Sequence, residues 1–157
     1  MMLRAITFCC LLIFASVICG CGTTAPDVEP DAPMTLHSLD GKVHPTKLQT
    51  GNGFEGFPLL GSVEIKDAAT RKKLVAALEA GIDDSDGTMA KCFWPRHALE
   101  TEVDGRPTKF IICFECLQIK IISQGEKDRV VATTSERESV FDEVLKAANV
   151  ELAPKGQ

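Results

Sequence analysis

The chain has 157 residues, of which 45% are hydrophobic and 25% are charged, and its formal net charge at pH 7 is -5. This length and composition predict one globular domain. An acidic chain lacks the positive surface that attracts phosphate backbones, so nucleic-acid binding is excluded.

The chain begins with an apolar segment that predicts export. A single basic residue, Arg4, precedes a continuous apolar run at residues 5–18. A permanent membrane-spanning helix needs about 20 such residues. The shorter run is typical of the apolar core of a signal peptide, which we place at residues 1–20.

Residues 18–21 (Ile-Cys-Gly-Cys) resemble the lipobox of bacterial lipoprotein precursors, although Cys19 stands where Ala, Ser, Thr, Val or Ile is usual. The resemblance implies cleavage before Cys21 and acylation of that cysteine, for example with palmitate. Two or three acyl chains would anchor the protein durably in a lipid bilayer. Gly22, where an Asp would imply inner-membrane retention, implies the outer membrane, with the protein facing the periplasm. The alternative is an ordinary secretory signal with incidental cysteines.

Residues 21–58 predict the lipidated cysteine followed by a flexible tether. The segment is rich in Thr, Pro, Asp, Gly and Asn and shows no sustained hydrophobic period. We expect Phe54 and Phe57, in a glycine-rich loop, to dock on the edge of the domain. His37 and His44 fall within this tether and receive no functional role.

Residues 59–153 predict the folded domain, and residues 154–157 a short tail. After a strand at residues 62–66, Asp67 can cap a helix that runs through Ala80 and ends at Gly81. A third strand at residues 129–133 and a second helix complete the domain. A capping box at residues 135–138 (Ser-Glu-Arg-Glu) opens that helix.

Between these elements, Asp104-Gly105 predicts a two-residue hairpin turn that joins strands at residues 97–103 and 106–122. In this register Glu100 faces Lys109 and Leu99 faces Phe110, so charge meets charge and apolar meets apolar. The element order β-α-β-β-β-α predicts the α+β class. We expect a small two-layer sandwich of an antiparallel sheet and two helices.

The cysteines and the histidine of the domain fall close together in the predicted hairpin. Cys92 and His97 precede the first strand or begin it, and Cys113 and Cys116 lie in the second. The two sulfurs of the second strand can converge only through a bulge or tight turn at Phe114-Glu115. The hairpin therefore predicts a cluster.

Three interpretations of this cluster remain open. Three thiolates and one imidazole make a complete zinc site of the Cys3His type, with Cys92, His97, Cys113 and Cys116 as ligands. A disulfide from Cys116 to Cys92 or Cys113, with one spare thiol, is the second interpretation. A redox pair of Cys113 and Cys116 is the third, although such pairs usually lie at a helix amino terminus.

The segment from Lys91 to Gln118 resembles a Cys-Phe-x-Pro-Arg-His … Cys-Phe-x-Cys pattern of uncharacterised bacterial proteins, many of them exported. The resemblance implies no activity, but it implies that the cluster is a unit. Arg96 in this pattern could bind an anion beside His97, and a salt bridge with Glu115 is the alternative.

The sequence favours a protein that is not an enzyme, because no arrangement of serine, histidine and acid stands out. We predict a membrane-anchored lipoprotein whose Cys3His cluster is a structural metal site or a disulfide. Its partner would be an unknown protein or ligand of the cell envelope. The alternative is a protein of the envelope that carries out thiol redox chemistry or handles metal ions.

Overall fold

The computed structural model describes residues 25–42 and 53–155. The predicted signal peptide, Cys21 and His44 lie outside the described residues. Nine elements follow one another along the described chain: β1 Thr35–Leu39, β2 Gly53–Phe54, β3 Phe57–Glu64, α1 Ala68–Asp83, β4 His97–Val103, β5 Arg106–Cys113, β6 Gln118–Ser123, β7 Arg129–Ala132 and α2 Glu138–Ala147.

The strands form one antiparallel sheet in the order β2-β3-β1-β4-β5-β6-β7, which is curled into a half-barrel. The α+β class is therefore confirmed. The finer prediction of a small two-layer sandwich is only partly met, because the sheet is larger than predicted and dominates the described fold. The additional strands come from two places: the predicted tether and the long second strand.

The predicted hairpin between β4 and β5 is confirmed residue by residue. Val103 pairs with Arg106, Glu100 with Lys109, and Leu99 with Phe110. Asp104 and Gly105 both have positive φ angles, 52° and 69°, as the tight two-residue turn requires. The turn chemistry and the alternating side chains are local, which is why the sequence alone predicts them.

The single strand predicted at residues 106–122 is wrong, because the chain reverses at residues 114–117. Leu117 donates a backbone hydrogen bond to the carbonyl of Phe114 (3.3 Å) and has a φ of 56°. The chain returns as β6, with Ile112 paired to Ile119 and Cys113 to Gln118. The tight turn predicted at Phe114-Glu115, between Cys113 and Cys116, is therefore present.

The prediction of a tether across residues 21–58 is also wrong for its described part. β1 lies in the middle of the sheet, paired on one side with β3 and on the other with β4. Upstream, Val28 is 1% exposed and Met34 2% exposed, and both belong to the main core. The polar composition of this segment is typical of a loop. The segment forms a strand because it pairs with β3 and β4, which are distant in sequence.

Helix α1 begins as predicted but ends later. The Asp67 carboxylate accepts the backbone N–H of Thr70 at 2.7 Å, so it is the N-cap. Gly81 does not end the helix, which continues to Asp83. A Cβ at Gly81 would lie 2.7 Å from Oγ1 of Thr133, so this glycine allows the helix to approach the chain beyond β7 closely.

Helix α2 lacks the predicted capping box. Its N-cap is Arg137, whose side chain makes no capping hydrogen bond, and the Ser135 carbonyl accepts the backbone N–H of Glu138. The Glu138 carboxylate turns inward to Arg96 and Lys155 instead. The Glu138 side chain therefore forms a buried ion pair instead of the hydrogen bond of a capping box.

The two faces of the sheet carry two apolar clusters. The larger one packs against both helices and includes Leu36, Leu99, Phe110 and Phe141. On the opposite face, the β2–β3 hairpin brings Phe54 and Phe57 onto a smaller cluster with Leu39, Ala98 and Ile111. The expectation that Phe54 and Phe57 dock on the domain is confirmed.

Candidate functional site

The three cysteines of the domain meet at one end of the sheet. Cys113 ends β5, Cys116 lies in the turn to β6, and Cys92 lies in the irregular segment before β4. The backbone N–H of Cys116 donates to Sγ of Cys113 at 3.2 Å, and both Cys92 and Cys113 influence the pKa of the Cys116 thiol. All three are free cysteines. We call Cys92, Cys113 and Cys116 the thiol group.

Backbone groups act on two of these sulfurs. Cys116 donates its N–H to Sγ of Cys113 at 3.2 Å, and the backbone of Trp94 lowers the pKa values of Cys113 and Cys116 against the effect of burial. Gly41 allows the Trp94–Pro95 backbone to pass close to it, since a Cβ there would lie 2.4 Å from the carbonyl carbon of Trp94. Such donors stabilise sulfur that carries negative charge.

Each thiol nevertheless has a raised pKa. The hydrogen bond to Cys116 raises the pKa of Cys92, and burial raises the pKa values of Cys113 and Cys116. The thiols are therefore protonated at neutral pH. Protonated thiols are weak nucleophiles, which counts against a redox centre that works through a ready thiolate.

His97 does not join the thiol group. Its Nε2 lies 2.9 Å from Oδ1 of Asp142, and its ring packs edge-on against Phe114 with centroids 5.5 Å apart. The three sulfurs are also not close enough to one another to show a metal site. The predicted Cys3His set is therefore not assembled, because the acid on α2 takes the imidazole.

Arg96 and His97 belong instead to a buried ion-pair cluster. The Arg96 guanidinium hydrogen-bonds to Glu138 and, at 2.9 Å, to the carbonyl of Ala153, and it lies 4.0 Å from Asp142. Glu138 also accepts from Lys155 at 2.6 Å. Two carboxylates of this chain already lie beside the guanidinium, which counts against the anion-binding role predicted for Arg96. Arg96 forms a salt bridge with Glu138.

The charges of this cluster shift two pKa values. Burial lowers the pKa of His97 despite the Asp142 carboxylate beside it, so the imidazole is neutral. Burial opposes ionisation of Asp142, but His97, Arg96 and Lys146 outweigh it and lower its pKa. With Nε2–H donating to Asp142, Nδ1 of His97 is a buried acceptor without a hydrogen-bond partner.

His97, Glu138 and Asp142 could hold a metal ion, because one ligand atom from each lies within 4.8 Å of the others. Arg96 and Lys155 already supply positive charge to the two carboxylates. A divalent cation would have to displace the guanidinium from Glu138. The coarse prediction of a metal-capable residue group is met here, but with a histidine and two acids rather than cysteines.

An open groove of about 480 Å³ gives access to the thiol group. Cys92 lies in its wall, and Trp94, whose side chain is 46% exposed, stands beside it. Phe114 also lines the groove. A small ligand can therefore reach the Cys92 thiol from solvent.

Sequence reasoning missed a second polar group, on the face of the sheet away from the helices. His37 on β1 hydrogen-bonds through Nδ1 to the Ser62 hydroxyl at 2.7 Å and through Nε2 to Glu100 at 3.1 Å. A weak signal was present, since Met34 and Leu36 alternate with Thr35 and His37 in the manner of a strand. Without its distant partners this segment was too short to distinguish from a loop.

Comparison of the chain with protein-family models, with curated proteins and with solved structures found no match. Within residues 25–42 and 53–155, neither helix has the length and apolar character needed to cross a bilayer.

Proposed function

We propose that this chain is a lipid-anchored protein of the bacterial cell envelope, and that its domain holds a zinc ion through Cys92, Cys113 and Cys116. The observation that carries this proposal is the position of Cys116. Its backbone N–H donates to Sγ of Cys113 at 3.2 Å, and both Cys92 and Cys113 influence the pKa of its thiol.

The lipobox resemblance at Cys21 supports the membrane anchor. Ala25, the first described residue, is four positions further on, and the chain packs into the core by Val28. A fully extended link from Cys21 to Ala25 reaches at most about 14 Å. An acylated Cys21 would therefore hold the domain directly at the bilayer surface, without the long spacer that the sequence suggested.

Three thiolates suit zinc, which prefers sulfur and nitrogen ligands. Cys92 lies in an irregular segment and is partly exposed, so its side chain can close on an ion held by the other two. Binding would displace the thiol protons and overcome the raised pKa values, because zinc binds thiolates. Zinc affinity should therefore fall as the pH is lowered.

The absence of His97 from the site favours metal handling over a structural role for zinc. A closed structural site needs four protein ligands, and the imidazole that would complete it is bonded to Asp142. Three thiolates leave a fourth position for a ligand from outside the chain. The groove beside Cys92 offers access for such a ligand.

The test compares metal content in three forms of the full chain, purified in detergent: the parent, Cys116→Ser and His97→Gln. We expect about one zinc ion per parent chain. Cys116→Ser should lose most of it, because the substitution removes one of the three proposed sulfur ligands. His97→Gln should keep it, because glutamine can still donate to Asp142 and His97 is not a ligand.

Three results would contradict the proposal. Zinc retained by Cys116→Ser would exclude the thiol group as its site. Zinc lost by a folded His97→Gln would restore the four-ligand site. The third result is a disulfide between Cys116 and Cys92 or Cys113, found by peptide mapping in protein isolated from the envelope without bound zinc. That result would favour the disulfide interpretation over the metal site.

A further inference from the structure

Three neighbouring strands place a serine, a histidine and an acid in hydrogen-bonded sequence on one face of the sheet. His37 on β1 lies directly opposite Ser62 on β3, and Glu100 on β4 lies diagonally across from it. The Ser62 hydroxyl is 2.7 Å from Nδ1 of His37, and the Glu100 carboxylate is 3.1 Å from Nε2. This is the order of nucleophile, base and orienting acid in acyl-transfer enzymes.

The hydrogen bonds define the protonation of this group. The carboxylate of Glu100 accepts, so Nε2 carries the proton and Nδ1 offers a lone pair to the Ser62 hydroxyl. The imidazole is 6% exposed, and the ring of Phe54 lies over it with centroids 4.4 Å apart. Burial lowers the pKa of His37, so at neutral pH it is an uncharged base.

The charged groups around His37 come from the neighbouring strands and the β2–β3 turn. Glu100 raises the pKa of His37 and Lys109 on β5 lowers it, but burial outweighs both. Lys109 is 2.6 Å from Glu55 and 3.8 Å from Glu100. The Lys109 charge is therefore shared between two carboxylates, and Glu100 remains the acid in contact with the imidazole.

A pair of hydroxyl groups elsewhere in the sheet provides a comparison for Ser62. Ser123 on β6 hydrogen-bonds at 3.0 Å to Thr108 of β5, its cross-strand partner. Neither hydroxyl of that pair has a histidine partner among the described contacts. Ser62 differs because its hydroxyl is exposed and its hydrogen-bond acceptor is a neutral base.

We propose that Ser62, His37 and Glu100 form an acyl-transfer site that hydrolyses small carboxylic esters, with Ser62 as the nucleophile. This activity is independent of the thiol group. Ser62 and His37 are the catalytic residues, and Glu100 is a positioning residue that acts through His37.

In the first step, Oγ of Ser62 forms a bond to the ester carbonyl carbon while its proton passes to Nδ1 of His37. The bond from that carbon to the alcohol oxygen breaks, and the alcohol leaves with the proton. Water then gives a proton to the same nitrogen while its oxygen forms a bond to the acyl carbon. The bond from that carbon to Oγ of Ser62 breaks, and the proton returns from Nδ1 to Oγ, so that the acid is released and the serine is restored. A positioned general base of this kind contributes about 10²- to 10⁴-fold over a free hydroxyl.

The experiment treats the full chain in detergent with p-nitrophenyl acetate and follows both nitrophenol release and the acetylated peptide by mass spectrometry. We expect acetyl on Ser62 and none on Ser123, which is the internal control. Ser62→Ala should abolish the label. Because Ser62 is exposed, this substitution should leave the fold intact. His37→Gln should slow acetylation by about 10²-fold or more.

The pH profile separates catalysis from a structural hydrogen bond. Acetylation should increase with pH through a midpoint below 6.5, the ordinary pKa of histidine. In Glu100→Gln that midpoint should move lower, because the hydrogen bond and charge of Glu100 raise the pKa of His37. A profile without this midpoint, equal labelling of Ser62 and Ser123, or an unchanged rate in folded His37→Gln would overturn the proposal.

Discussion

Arg96 and His97 are neighbours in sequence and both reach acids on α2. Glu138, the partner of Arg96, is 42 positions away, and Asp142, the partner of His97, is 45 positions away. The sequence motif drew attention to both residues, but it offered an anion or Glu115 as the partner of Arg96 and zinc as a possible partner of His97. Their true partners could not be read from the motif, because an ion pair between distant elements leaves no local pattern.

Substitution of Arg96 with leucine should destabilise the fold strongly. It would leave the Glu138 and Asp142 carboxylates, each about one-tenth exposed, without their shared guanidinium. Removal of one partner from a buried pair costs about 3–5 kcal/mol. Denaturant unfolding of the full chain measures this change in free energy.

The matched control is Lys73→Leu. Lys73 pairs with Glu143 at 2.9 Å, but both side chains are more than half exposed. An exposed ion pair is screened by water, so its loss should change the unfolding free energy little. Equal effects of the two substitutions would mean that the buried cluster does not stabilise this fold.

Local patterns also predicted individual elements unequally well. The β4–β5 hairpin was correct in register because the Asp104-Gly105 turn and its flanking strands are contiguous. The capping box was wrong because a distant arginine competed for Glu138. Gly81 was taken as a helix stop, whereas its lack of a side chain serves a contact between α1 and Thr133.

Gly81→Ala tests that contact. In a free helix this change would stabilise by about 1 kcal/mol. Here we expect it to destabilise by about 1–3 kcal/mol, because the new Cβ meets Oγ1 of Thr133 at 2.7 Å. Thermal unfolding of Gly81→Ala, Thr133→Ala and the double variant measures the coupling.

The double variant should recover most of the stability lost in Gly81→Ala, since threonine's hydroxyl is then absent. Additive effects of the two single substitutions would show that the close approach to Thr133 is not the cause.

At the scale of the whole molecule, two histidines are buried in the uncharged form. Burial lowers the pKa values of both His37 and His97 below 6.5. In the unfolded chain the two imidazoles bind protons as the pH falls through 6.5. In the folded chain they bind protons only at lower pH, because burial lowers their pKa values. Their contribution to stability is therefore complete above pH 6.5 and is lost as the pH falls below it.

The thermal midpoint of unfolding should accordingly decrease between about pH 7 and about pH 5. His97→Gln should show a shallower decrease, because one of the two buried imidazoles is gone. A further loss of stability is expected below pH 3.8, the ordinary pKa of aspartate. The pKa of Asp142 is lowered in the folded chain, so Asp142 takes up a proton more readily in the unfolded chain. A midpoint constant from pH 7 to pH 5 would contradict this linkage.

The amino-acid sequence by itself determined the features that depend on neighbours along the chain: the β4–β5 hairpin, the N-cap at Asp67 and the proximity of Cys113 to Cys116. Tertiary structure decided the features that depend on residues far apart. It placed β1 inside the sheet between β3 and β4, brought His37 to Ser62 and Glu100, and paired His97 with Asp142 rather than with the cysteines. The physical reason is that turns and caps are specified within a few residues, whereas sheet order and buried ion pairs depend on which distant segments pack together.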